Sequence, residues 1–128
     1  MADTKSPLKC LVADDEPQIG ALLRDVLARQ GYEADVVTDG EAASRRLAGG
    51  EYALLVTDIL MPRKTGVELV HEIRARGQTL PVILMSSHLS EEVLASCRAV
   101  ERIAFLQKPF AISDLRHAID RAAAPVRS

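Results

Sequence analysis

At 128 residues the chain is the size of one domain, long enough to bury roughly two thirds of its unfolded surface around a single core. A hydrophobic share of 48% is ordinary, an aromatic share of 3% makes that core aliphatic, and a formal net charge of −2 without a basic run argues against nucleic acid as a direct ligand. No apolar stretch approaches the roughly 20 residues of a membrane helix, and "MADTKSPLK" has no apolar signal segment.

Residues 1–7 are polar and read as a loose N-terminal tail, so the domain is expected over 8–124, with a short tail at 125–128. The first aliphatic run, "LKCLVA" (8–13), precedes a helix predicted over 17–30. Its apolar face is Ile19, Leu22, Leu23, Val26 and Leu27, with Pro17 suited to the first turn and Gly31 to the position past the end. A second run, "EADVV" (33–37), leads into "TDGE" (38–41), where Thr38 followed three residues later by Glu41 predicts a capping box for a short helix through Leu47. The third run is "YALLVT" (52–57). A helix follows in "GVELVHEIRARG" (66–77), on the face of Val67, Val70 and Ile73. "PVILMS" (81–86) is the fourth run, "SEEVLASCRAV" (90–100) a weaker helix, "IAFLQ" (103–107) the fifth run, and "ISDLRHAIDRA" (112–122) the last helix.

Four of these runs are nearly continuous in apolar character, as strands buried on both faces are. Five strands alternating with five helices predict an α/β domain with a parallel sheet and helices on both of its faces. In such a sheet ligands lie outside the carboxyl ends of the strands, where the strand order reverses. Cys10 and Cys97 form no CxxC and read as free thiols of a reducing cytoplasm.

The strand ends carry the chemistry. The first ends in Asp14, Asp15 and Glu16, the third in Asp58, the fourth in Ser86 and Ser87, the fifth in Lys108, Pro109 and Phe110. Taken singly, each has a plain structural role: Asp15 could cap the helix at Pro17, and the others suit turns and loops. Together they gather carboxylates, hydroxyls and an ammonium on one edge. Two unit charges 4 Å apart interact by about 4 kcal/mol at an effective dielectric near 20, so clustered carboxylates need cations beside them. Lys108 is one. A divalent ion would supply the rest, and hard oxygen ligands favour Mg²⁺. A metal-bound carboxylate opposite a lysine and a hydroxyl suits a phosphoryl acceptor. The chain has neither a P-loop nor a GxSxG elbow.

"LVADDEP", "LVTDILMPRKTGVEL", "LPVILMSS" and "FLQKPF", in that order, resemble the receiver domains of response regulators in two-component signalling, and the resemblance runs from about Leu8 to Ala123. It implies a flavodoxin-like (βα)5 three-layer sandwich of strand order 2-1-3-4-5. It implies further that Asp58 is the phosphoacceptor and that Asp15, Asp58 and the Leu60 main-chain carbonyl bind Mg²⁺, with Asp14 acting through water. Ser86 stands at the switch hydroxyl position, Phe105 at the switch aromatic, Lys108 at the family's lysine, and Pro109 after a cis peptide bond. Gly66 matches the glycine opening the third helix. Leu60 and His88 occupy positions that tune hydrolysis, and apolar Leu60 implies slow self-dephosphorylation. Where the family often has Gly-Ala before the fifth strand, this chain reads "AVERIAF".

The implied partners are a sensor histidine kinase or histidine phosphotransfer protein and a downstream protein target. Neither nucleic acid nor membrane is expected as a direct ligand, and a phosphorylation-dependent homodimer stays open. The chain would be a cytoplasmic signalling phosphoacceptor instead of a turnover enzyme. A haloacid-dehalogenase-type phosphatase would carry a second Asp where Leu60 stands. A pseudo-receiver would not need Asp14, Asp15, Asp58, Ser86 and Lys108 together. "LPVILMSSHLS" and "FLQKPFAISDL" are similar to C-terminal receivers of hybrid histidine kinases, which leaves a stand-alone receiver and a piece of a longer protein both open.

Overall fold

The structure, a computed structural model, describes residues 7–123; the tails expected at either end fall almost entirely outside them. The elements run β1 (Leu8–Ala13), α1 (Pro17–Arg29), β2 (Tyr32–Val37), α2 (Gly40–Gly49), β3 (Leu54–Asp58), α3 (Gly66–Ala75), β4 (Val82–Ser86), α4 (Glu91–Ser96), β5 (Ile103–Gln107) and α5 (Ile112–Ala123). All five strands are parallel, in the order β2-β1-β3-β4-β5. Every residue of β3 and β4 is buried, which is why those segments read as unbroken apolar runs.

Successive strand residues point to opposite faces, and the core divides accordingly. Cys10, Val12, Leu54, Val56, Ile83 and Met85 pack with Leu23 and Leu27 of α1 and Leu115 and Ala118 of α5. Leu11, Ala13, Leu55 and Leu84 pack with Leu47 of α2 and Leu69, Val70 and Ile73 of α3. Cys10 and Cys97 lie buried in these two separate clusters, on opposite faces of the sheet, and both are free. From β1 the chain passes outward to β2, then crosses to β3 on the other side of β1. The switch point therefore lies between the carboxyl ends of β1 and β3.

Several boundaries differ from the sequence expectation. Leu22 is 52% exposed, and buried Gly20 takes the inner position of α1, where an added Cβ would come within 2.6 Å of the Val36 side chain. The face of α1 is thus set by close approach to β2, which apolar spacing does not register. Asp39, not Thr38, caps α2 by accepting from the Ala42 N–H at 2.8 Å. Asp15 does not cap α1; Glu16 holds that position without a side-chain bond, and Pro17 at the first turn has no N–H to satisfy. The complete capping box lies at α3, between Thr65 and Glu68. The third strand begins at Leu54, because Tyr52 turns aside to donate to Asp35 at 2.7 Å.

α4 is only six residues long, since tight turns after Ser96 bring Cys97 into the core. In "AVERIAF", Arg102 adopts a left-handed backbone (φ 60°). Arg74 of α3 holds that loop by donating to the carbonyls of Glu101 at 2.8 Å and Arg102 at 3.4 Å.

The exposure of Leu22 beside wholly buried Leu23 is testable by urea unfolding. Leu23→Ala is expected to cost about 2–5 kcal/mol and Leu22→Ala no more than about 0.5 kcal/mol. Equal losses would restore the face expected from spacing alone.

Candidate functional site

The site forms where three strands end. The last residue of β3 is Asp58, only 8% exposed, and Asp14 follows β1 with no exposed surface. Lys108 follows β5, at the sheet's edge, and spans β4 to reach both: its Nζ donates to Asp14 Oδ2 at 2.9 Å and to Asp58 Oδ2 at 3.1 Å. Glu16 Oε1 lies 3.7 Å from the same ammonium. The other oxygen of Asp14 accepts the Glu16 N–H at 2.9 Å, so both oxygens of that carboxylate are engaged. Asp15 is exposed and makes no hydrogen bond or ion pair among the described residues.

Carboxylate oxygens of Asp14, Asp15 and Asp58 all lie within 4.8 Å of one another. Among the described residues, three negative charges against one ammonium leave the cluster short of positive charge, and the donors are hard oxygens with no imidazole or thiolate among them. That donor set fits a hard divalent cation and does not fit a structural zinc ion. The Leu60 carbonyl accepts no hydrogen bond among the described residues and is free to join such a set.

Burial pushes Asp58 above the ordinary carboxylate range; the hydrogen bond from Lys108 opposes the rise, and the neighbouring Asp14 charge adds to it. Burial draws the Lys108 ammonium down, but its bonds to Asp14 and Asp58 prevail and hold it above an ordinary lysine. Asp58 thus lies in a desolvated crevice where the Lys108 ammonium offsets only part of the cost of its charge.

The remaining residues stand apart from this core. Ser86 ends β4 and is 5% exposed, yet its hydroxyl is closed on its own loop, accepting the His88 N–H and donating to the His88 carbonyl, each at 3.0 Å. The main chain ties the ends of β4 and β5 together, with Lys108 N–H donating to the Ser86 carbonyl at 2.8 Å. Phe105 is half-buried in mid-β5, paired with Leu84 and packed with the cluster under α2 and α3, away from the carboxylates. Leu60 is 70% exposed and His88 is exposed, in the loops after β3 and β4. The Lys108–Pro109 peptide is cis.

Two contacts escaped the sequence reading. Gln107 donates to the Ser87 carbonyl at 3.3 Å, and buried Thr57 donates to the Asp58 carbonyl at 2.9 Å. Neither has a spacing signal, because each joins a side chain to a main-chain oxygen. Gly66 has a clear reason: a Cβ there would press on the Asp58 carbonyl, so α3 starts directly beneath the site.

The profile of the response regulator receiver domain family matches residues 10–120. Transcriptional regulatory protein RprY of Bacteroides fragilis is 31% identical over 99% of this chain and 54% of its own length. Transcriptional regulatory protein TctD of Salmonella typhimurium is 36% identical over 84% of this chain and 48% of its own. The chain thus spans about half the length of these curated relatives. Among solved structures, the chemotaxis response regulator CheY4 of Vibrio cholerae superposes with a TM-score of 0.81 at 27% identity, covering 91% of this chain and 98% of that one. Response regulator TrrA of Thermotoga maritima, solved in complex with Mg²⁺-BeF, gives 0.79 at 31% identity, over 90% and 98%.

The raised pKa of Asp58 has a consequence for stability without metal. A carboxyl whose folded pKa exceeds its unfolded value contributes stability below the unfolded pKa, and that contribution is lost as pH rises through the folded pKa. Asp58→Asn, with no carboxyl to desolvate, is therefore expected to have a higher urea midpoint than wild type at pH 7 in EDTA. The gap should narrow as pH falls toward the ordinary carboxylate range, and a less stable Asp58→Asn at pH 7 would contradict this account.

Proposed function

The chain belongs to the response regulator receiver domain family, and from that premise we propose that Asp58 is its phosphoacceptor. It is a receiver domain of two-component signalling, a class that exchanges phosphoryl groups with histidine kinases or phosphotransfer proteins. The observation that carries the assignment is the position of Asp58. It ends a fully buried strand, has an oxygen 3.1 Å from Lys108, and shares a crevice with two further carboxylates.

In the proposed reaction an Asp58 oxygen attacks the phosphorus of a phosphohistidine. The P–N bond breaks as the P–O bond of an acyl phosphate forms, and the imidazole nitrogen leaves with its electron pair. Mg²⁺, when bound, would draw off charge on the phosphoryl oxygens. Asp15, whose carboxylate is unengaged, and the free Leu60 carbonyl suit direct ligands beside Asp58. Asp14, with both oxygens occupied, suits a contact through water. TrrA, solved with Mg²⁺-BeF, supports a divalent ion in this role. Lys108 stands ready to shift from carboxylate to phosphoryl oxygen. Ser86 would leave its turn with His88 to donate to the new group, Phe105 would follow, and the α4–β5–α5 surface would change its affinity for a downstream protein.

The expectation of no direct nucleic-acid contact is proposed for these residues alone and rests on the net charge of −2; RprY and TctD are transcriptional regulators about twice as long. No helix among the described residues is long and apolar enough to cross a membrane. A cytoplasmic location is part of the same proposal, since two buried free thiols suit a reducing compartment.

Incubation with Mg²⁺ and a small-molecule phosphodonor, followed by intact mass measurement, tests the assignment. One phosphoryl adduct is expected on wild type and none on Asp58→Asn. An adduct that survives in Asp58→Asn would move the acceptor elsewhere. Fast release of free phosphate with no adduct accumulating would indicate a phosphatase, and neither adduct nor phosphate would indicate a pseudo-receiver.

Leu60, 70% exposed beside the acceptor, cannot orient an attacking water. Leu60→Asn is expected to shorten the acyl-phosphate lifetime about tenfold, the effect of roughly one hydrogen bond on the barrier, in a decay assay of isolated phosphoprotein. An unchanged lifetime would remove Leu60 from control of the signal.

A further inference from the structure

The loop between β3 and α3 carries Leu60 and is pinned at its inner end by main-chain bonds. Ile59 N–H donates to the Met85 carbonyl at 2.9 Å, and Gly66 N–H donates to the Ile59 carbonyl at 2.8 Å. Its outer end is held by groups outside the acidic cluster. Lys64 Nζ donates to Glu72 Oε1 of α3 at 2.7 Å. The second oxygen of Glu72 accepts from Ser44 Oγ of α2 at 3.0 Å and from Arg76 Nη2 at 2.8 Å, and Arg76 also reaches Ser44 at 3.0 Å.

The start of α2 presses on the same loop. Gly40 N–H donates to the Pro62 carbonyl at 3.3 Å, and a Cβ on Gly40 would overlap the Lys64 carbonyl. Arg63, with φ 73°, donates to Asp39, the α2 cap, at 3.3 Å. The Lys64 and Glu72 side chains are only 21% and 32% exposed, so the pair holds more firmly than one in open water. Its bond to Lys64 also keeps Glu72 below the ordinary carboxylate range.

We propose that Glu72 is a positioning residue for the metal site: by gripping Lys64 it holds the β3–α3 loop, whose Leu60 carbonyl is a candidate metal ligand two residues from Asp58, and so sets the site's affinity for Mg²⁺. This rests on the receiver reading above and deepens it. Glu72 touches neither the acidic cluster nor a phosphoryl group. Its influence passes through Lys64 and the five-residue stretch from Leu60 to Lys64, in which the Lys64 N–H closes a turn on the Pro62 carbonyl at 2.8 Å. Ser44 and Arg76 bond the other oxygen of Glu72 and join α2 to α3 there.

The test is calorimetric titration of Mg²⁺ into the full chain, with a urea midpoint recorded for each variant. Glu72→Gln, which keeps shape and loses charge, is expected to bind Mg²⁺ about two- to fivefold more weakly, the range of a partly exposed ion pair. Lys64→Met should weaken binding equally, and adding Glu72→Gln to Lys64→Met should weaken it no further. Ser44→Ala leaves the Lys64–Glu72 bond in place, so it should lower the urea midpoint without moving Mg²⁺ affinity. Unchanged affinity in Glu72→Gln, an equal loss in Ser44→Ala, or an additive loss in the double variant would each overturn the proposal. A wild type that neither binds Mg²⁺ nor takes a phosphoryl adduct would overturn the receiver chemistry itself, whereas a wild type that does both beside an unaffected Glu72→Gln overturns the clasp alone.

Discussion

One ammonium reconciles two buried carboxylates that would otherwise repel each other across adjoining strands. Lys108 leaves the edge strand β5, crosses the end of β4 and donates to Asp58 and Asp14 at the ends of β3 and β1. Without it, Asp14, which has no exposed surface, would be a desolvated and uncompensated charge, a far larger penalty than any surface pair could offset. The reach works only because the sheet order puts β1, β3, β4 and β5 side by side with their carboxyl ends in line. Sheet topology and site electrostatics are therefore one constraint.

That constraint also divides the labour among the carboxylates. Among the described residues, Asp14 has both oxygens engaged by Lys108 and the Glu16 amide, Asp15 is exposed and unpaired, and Asp58 lies between them, desolvated and bonded to Lys108. A group in the third position is the one whose protonation and bonding can change without dismantling the others. Ser86, meanwhile, is satisfied within its own turn, so drawing its hydroxyl toward Asp58 means exchanging two local bonds for contacts with a new partner. Such an exchange suits a change between two discrete arrangements, because a half-moved hydroxyl would have neither set of partners. The helices behind the site hold its loops in place: Gly66 lets α3 start against Asp58, and Glu72 ties the intervening loop to α3.

The sheet and the acidic edge were legible in the chain because both are written in local residue types. Continuous aliphatic runs such as "ALLVT" and "VILMS" announce strands buried on both sides, and Asp14, Asp58 and Lys108 each follow such a run directly. Details governed by close approach were not legible. Leu22 fits the apolar stripe of α1 and yet faces out, because Gly20 is the residue that meets Val36. Thr38 and Glu41 have capping-box spacing, but Asp39, one residue later, is the residue that accepts the Ala42 N–H. The true box at Thr65 and Glu68 lay hidden behind the motif that contains it.

By itself the sequence determined the alternation of elements, the aliphatic core and which residue types would stand at the carboxyl edge, since hydrophobic period and chain order are local properties. Only the tertiary structure decided which of those groups meet. Asp14 and Lys108 are 94 residues apart along the chain and 2.9 Å apart in space, and Lys64, Glu72 and Ser44 converge from a loop and two helices. Contacts of that kind depend on strand order and helix placement, which burial of the whole sheet sets at once and no single segment encodes.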